Sequence, residues 1–97
     1  MNRIAVITGA GAGVGRAAAT EFARNGCDVA LLSRDQDRLD HAADELRRFG
    51  VRVLPISTDV ADARAVQDAA DQVERELGPI DVWVNVAMAT VSPRSIN

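Results

Sequence analysis

The chain has no tyrosine, and all 11 of its basic side chains are arginines, so lysine is absent as well. Arginine stays protonated and does not replace a titrating acid or base. With a single cysteine, Cys27, an internal disulfide is excluded, and the sequence has no Cys/His cluster of metal-binding spacing. Long apolar runs are missing too. The first, behind Arg3, lasts four residues before a glycine loop, too short for a signal-peptide core or a membrane span. The net charge is −3, with the signs interleaved along the chain. That gives no electrostatic ground for nucleic acid or an anionic membrane as partner, and the expected compartment is the cytoplasm.

What is present is organised around the first strand. Residues 4–7 are apolar and, with Thr8, rich in β-branched side chains, which suits a strand buried on both faces. A loop dense in glycine follows, then an alanine-rich stretch, 17–24, with good helix propensity, closed by Asn25-Gly26. Glycines there permit a tight turn and close approach of main chain to a pyrophosphate. The helix N-terminus adds unpaired N–H groups and a favourable dipole. The spacing is not G-x-G-x-x-G, which would need glycine at Val14 or Arg16. It is T-G-x-x-x-G-x-G, carried by Thr8, Gly9, Gly13 and Gly15.

With 97 residues the chain makes one small domain. A chain of that size buries about 60–65% of its unfolded surface, a marginal core. A second buried strand is expected over 28–33, followed by a helix for which Ser33 or Asp35 is available as N-cap. Leu39, Ala42, Ala43, Leu46 and Phe49 recur at helical spacing as its apolar face, while His41 falls off that stripe and reads as a solvated surface residue. The third strand is expected over 51–56, where Pro55 points to a sheet edge or strand end. Asp62 is placed to cap a third helix whose stripe is Val66, Ala69, Ala70, Val73 and Leu77, stopped by Gly78-Pro79. The fourth strand is expected over 80–85, running on through 86–91, with 92–97 as a frayed tail and 1–91 as the domain.

Strands and helices alternating in this way predict an α/β fold with a doubly wound parallel sheet of strand order 3-2-1-4. The first two helices lie on one face and the third on the other. The crevice then falls between strands 1 and 4 at their carboxyl ends, where the glycine loop, Asp59 and Asn85 all arrive. The acid that clasps an adenosine ribose ordinarily ends the second strand, about 20 residues past the glycines. Ser33 occupies that place and Arg34 follows it. A guanidinium binds a 2′-phosphate in a bidentate, charge-assisted way, so the expected cofactor is NADP in preference to NAD. Asp35 is the competing ribose ligand if the loop rotates.

The T-G-x-x-x-G-x-G spacing resembles that of the short-chain dehydrogenase/reductase (SDR) family, and the resemblance extends over residues 3–87. Asp59-Val60 resembles the family's Asp–hydrophobic pair beside the adenine. Residues 81–85 resemble the strand leading into its Asn-Asn-Ala-Gly segment. Asn85 and Ala87 match the first and third positions of that segment, whereas Val86 and Met88 depart from the second and fourth. The resemblance implies a truncated Rossmann-type domain that binds NAD(P) through Thr8, Gly9, Gly13, Val14, Gly15, Ser33, Arg34, Asp59, Val60, Asn85 and Ala87.

It also implies an oxidoreductase acting on a carbonyl or alcohol. The tyrosine acid/base of such an enzyme, the lysine four residues beyond it and the carbonyl-polarising serine all come after the fourth strand. None of the 97 residues is a tyrosine or a lysine, and Ser92 and Ser95 have no partner base. No catalytic residue is therefore assigned, and the chain alone is expected to be inactive, as a truncated product or fragment. Its fourth strand would be an open edge bearing Val82, Trp83 and Val84, free for self-association or for pairing with a partner. The alternatives are a non-catalytic nucleotide-binding or partner-docking module, or a remnant with no function of its own.

Overall fold

The computed structural model describes residues 2–10, 13–86 and 90–93. The elements run β1 (Ile4–Thr8), α1 (Gly13–Arg24), β2 (Asp28–Ser33), α2 (Gln36–Arg47), β3 (Val53–Ser57), α3 (Ala63–Glu76), β4 (Val82–Asn85) and β5 (Thr90–Pro93). They form one sheet of order β3-β2-β1-β4-β5, parallel across its first four strands. The order 3-2-1-4 expected of right-handed crossovers is found.

Side chains alternate across this sheet, and two cores result. Ala5, Ile7, Val29 and Leu31 face α1 and α2, packing with Ala19, Ala23, Leu39 and Leu46. Ile4, Val6, Ala30 and Leu32 face the opposite way, toward Ala69, Ala70 and Val73 of α3. Every residue of β1 is buried, as a strand covered on both sides requires. Leu39 and Leu46 are fully buried, at 0% and 1% exposure. Each contributes about 1.5–3 kcal/mol to docking α2, since burial removes its whole apolar side chain from water. Asp35 and Asp62 cap α2 and α3, their carboxylates accepting from first-turn backbone N–H groups.

Three local expectations need correction. Phe49 does not share the apolar face of α2. The helix ends at Arg47, and Phe49 lies in the turn beyond it, 41% exposed. The third strand starts at Val53 and takes in Ser57. As the outermost strand of that side it tolerates Pro55, whose missing N–H breaks no ladder on the open edge.

The third correction concerns the far edge. The apolar run from 80 to 91 is not one strand. β4 stops at Asn85, and β5 returns antiparallel beside it, pairing Val82 with Pro93 and Asn85 with Thr90. Geometry imposes the direction: a parallel neighbour needs a crossover of roughly a dozen residues, and the short connection from Asn85 to Thr90 leaves room only for a hairpin. The edge of β4 is therefore covered by the chain's own β5. Self-association or partner docking through an open β4 edge loses its surface. Of the expected frayed tail, Ser92 and Pro93 belong to β5, and 94–97 lie outside the described residues.

At the amino end of the sheet a buried carboxylate ties three elements. Asp28, 1% exposed, accepts from the Asn2 amide (3.1 Å), the Arg52 backbone N–H (2.9 Å) and the Arg52 guanidinium (2.8 and 3.0 Å). The same guanidinium donates to the Leu77 carbonyl at the end of α3 (3.0 Å). β1, β2, β3 and α3 are thus held together below the core, leaving the opposite, carboxyl end of the sheet to the site.

Candidate cofactor site

Strand register decides which residues meet at the carboxyl ends. Thr8 stands opposite Leu32 on one side and Asn85 on the other, and Ser33 stands opposite Ser57. Thr8 is buried at 3% exposure, so its hydroxyl needs a partner. It finds the Asn85 Oδ1 at 3.2 Å and the Val84 carbonyl at 3.4 Å. The first and fourth strands are thereby cross-linked at their carboxyl ends by two of the predicted residues.

The loop leaves β1 leaning over β2. The Gly9 N–H donates to the Leu32 carbonyl at 2.8 Å, and Gly9 has a φ of +70°. Gly15 then packs the start of α1 directly onto that loop. A Cβ on Gly15 would stand 2.1 Å from the Gly9 carbonyl oxygen, a distance no side chain can occupy. Gly13 is the opposite case, with φ +60° and no atom within 4 Å of where its Cβ would be. One glycine brings the helix end close to the strand, and the other keeps its outer side clear. Val14, the next residue, is 72% exposed.

A second group forms at the ends of β2 and β3. The Thr58 N–H donates to the Ser33 carbonyl (2.7 Å), and the Ser57 hydroxyl donates to the Arg34 carbonyl (3.2 Å). Asp35 is committed to its helix: Oδ1 accepts the Arg38 N–H (3.2 Å), and Oδ2 lies 3.4 Å from Arg38 Nε. Arg34 is exposed and forms no ion pair with the described residues. Asp59 and Val60 sit in the turn after β3, where the Asp59 carboxylate accepts the Ala61 N–H at 3.0 Å. No described hydrogen bond brings either of them to the glycine loop. Ala87 lies outside the described residues, as does Met88.

The arrangement suits a pyrophosphate. The first turn of α1 carries no acid, so nothing on it repels an anion from the positive end of the helix. The space beside Gly13 is clear, and a side chain there would intrude into it. Sequence reasoning passed over Ser57 and Thr58, whose signal was their place opposite Ser33 in the strand register. Among the described residues no three His, Cys, Asp or Glu side chains gather as a metal site, and no helix is long and apolar enough to cross a membrane.

Residues 3–95 match the family model of the short chain dehydrogenases. The chain belongs to that family. A short chain dehydrogenase of Pseudocercospora fijiensis is 39% identical over 85 residues, covering 88% of this chain and 28% of the relative. Among solved structures, L-sorbose reductase from Gluconobacter frateurii, complexed with NADPH and L-sorbose, superposes with a TM-score of 0.78 at 41% identity, over 82% of this chain and 31% of that one. An NAD+-bound xylitol dehydrogenase gives a TM-score of 0.78 at 34% identity, over 81% of this chain and 30% of that one. The chain thus spans about three tenths of the length of the relatives it matches. What it shares with them is the NAD(P)-binding Rossmann portion of a short chain dehydrogenase.

Proposed function

We propose that this chain binds a nicotinamide dinucleotide at the carboxyl end of its sheet, prefers NADP(H), and serves the hydride chemistry of a carbonyl/alcohol oxidoreductase only when the proton-handling residues are supplied from elsewhere. The observation that carries the reading is the cradle at Gly9, Gly13 and Gly15, with Gly15 locked against the loop at Gly9 and Gly13 facing open space. Backbone N–H groups of the first turn of α1 would take the pyrophosphate. Thr8 and Asn85 brace the wall on the β4 side, where the nicotinamide half would run.

Preference for the 2′-phosphate follows from the β2–α2 turn. Ser33 stands where a carboxylate would repel the phosphate, and Asp35 spends both of its oxygens on Arg38. Arg34 supplies a cation next to them that has no competing ion pair among the described residues, whereas Arg38 is paired with Asp35. When bound, the dinucleotide supplies the hydride. The chain's own residues bind and orient it, and no tyrosine or lysine is present to move the accompanying proton. The cytoplasm, where NADPH is plentiful, is the compartment this reading takes.

Calorimetric titration of the purified chain with NADPH and with NADH tests it. Saturable binding, tighter for NADPH and reduced for that cofactor alone in Arg34→Ala, is the expected result. No binding of either dinucleotide overturns the reading. Turnover of a carbonyl substrate by the chain by itself overturns the claim that the proton-handling groups must be supplied.

A further inference from the structure

Two consecutive residues at the end of β2, Ser33 and Arg34, have their carbonyls held from the end of β3 and the residue after it. Ser33 has its carbonyl taken by the Thr58 N–H at 2.7 Å, which extends the β2–β3 ladder one step past the last paired residues. Arg34 has its carbonyl taken by the Ser57 hydroxyl at 3.2 Å. Asp35 is turned into α2 as its cap, with the Ser33 hydroxyl 3.5 Å from its backbone nitrogen. The peptide after Arg34 has only a long bond on its nitrogen, to the Ser33 hydroxyl at 3.5 Å, so its orientation depends mainly on what holds its oxygen. The Ser57 hydroxyl bond is the described contact that does so.

From this we infer that Ser57 is a positioning residue for cofactor selectivity. By holding the Arg34 carbonyl it fixes the orientation of the Arg34 backbone, so that the guanidinium, and not the Asp35 carboxylate, is presented to the 2′ position of the adenosine. The inference rests on the proposed dinucleotide site and deepens it, because it explains which of two adjacent, oppositely charged residues reads the ribose. Rotation of that one peptide is what would release Asp35 from its cap and offer a carboxylate to the ribose hydroxyls. That exchange is the physical difference between preference for NADPH and preference for NADH.

Ser57 is exposed, so its removal leaves no cavity and the folded chain survives the change. The test measures dissociation constants for NADPH and NADH on the full chain as it stands, on Ser57→Ala and on Ser57→Thr, with melting temperature as control. Loss of one neutral hydrogen bond is expected to reduce the NADPH-over-NADH affinity ratio about three- to tenfold in Ser57→Ala. Ser57→Thr, which keeps the hydroxyl, restores the ratio. A purely structural role would weaken both cofactors together and leave the ratio alone. An unchanged ratio in Ser57→Ala, or a failure of threonine to restore it, overturns the inference while leaving the dinucleotide site standing. If the unaltered chain binds neither cofactor, the site and the inference fall together.

Discussion

Gly15 lies so close to Gly9 that a methyl group on it would sit 2.1 Å from the Gly9 carbonyl oxygen. The obstacle is backbone and not the end of a flexible side chain, so the strand and helix would have to separate. Gly15→Ala is therefore expected to cost at least about 3 kcal/mol, the upper range for overpacking. For a domain of this size that lowers the melting temperature by more than about 10 °C. Gly13→Ala meets no atom and suffers only the left-handed backbone penalty, about 1–2 kcal/mol. Its effect falls on binding, because the added methyl projects into the space the pyrophosphate needs. The loss of charge-assisted hydrogen bonds is expected to weaken NADPH about tenfold or more. Melting curves and calorimetry on the two variants should separate them, the first mainly unfolding and the second mainly failing to bind.

The difference between those glycines was not legible in the sequence, where each is one member of the same spacing. The motif gives the presence of the turn. Which glycine touches the loop at Gly9 depends on how α1 lands beside β1. Strand order was legible because buried runs such as residues 28–33, joined by helices, admit few right-handed parallel arrangements. The reversal after Asn85 was not, because Val86 and the apolar residues after it carry no turn signal, and continuity of apolar character says nothing about direction. Phe49 sits at the right spacing from Leu46 but past the helix end, where periodicity no longer describes its direction. Asp28 with Arg52, and Ser57 with Arg34, are pairings across the β2–β3 register, which no local pattern in either strand announces.

Thr8→Val tests the link between the first and fourth strands. Valine keeps the volume of this buried residue and removes only its hydroxyl, which leaves Asn85 Oδ1 without the bond now 3.2 Å long. The expected cost is about 1 kcal/mol, a shift of about 4–8 °C in melting temperature. Because the wall loosens on the β4 side, remote from Arg34, the affinities for NADPH and NADH are expected to fall by the same factor. A change in their ratio would contradict that placement.

Cys27 should be a sluggish nucleophile. Burial pushes its thiol above the ordinary value of 9.0; the Arg3 charge opposes this, and the carboxylates of Asp28 and Asp81 reinforce it. At pH 8 its alkylation by iodoacetamide is expected to be slower than that of free glutathione. Arg3 is exposed and supplies the one charge that favours the thiolate, so Arg3→Ala should slow the reaction further. Faster reaction in that variant would show that access, not charge, governs the thiol.

Asp28 sets how stability responds to acid. Burial alone would raise its carboxyl, but the Arg52 backbone N–H, the Asn2 amide and the Arg52 guanidinium outweigh that and hold it below the ordinary value of 3.8. A carboxylate depressed in the folded state stabilises fully above its unfolded value and ceases to do so as pH falls through the folded one. Asp28→Asn keeps the shape and loses the charge. Because the Arg52 side chain is 57% exposed and water takes part of the load, the expected cost at pH 7 is about 1–2 kcal/mol. That gap should be the same at pH 7 and pH 5. It should narrow as the pH is taken below about 4, where the unfolded chain's carboxyl takes up its proton, and close once the pH has passed the lower folded value. Urea midpoints of the two proteins at pH 7, 5 and 3 measure it directly, with all other carboxylates titrating equally in both. A gap that persists undiminished at pH 3 would mean that the Asp28 charge is not what ties β1, β3 and α3 together.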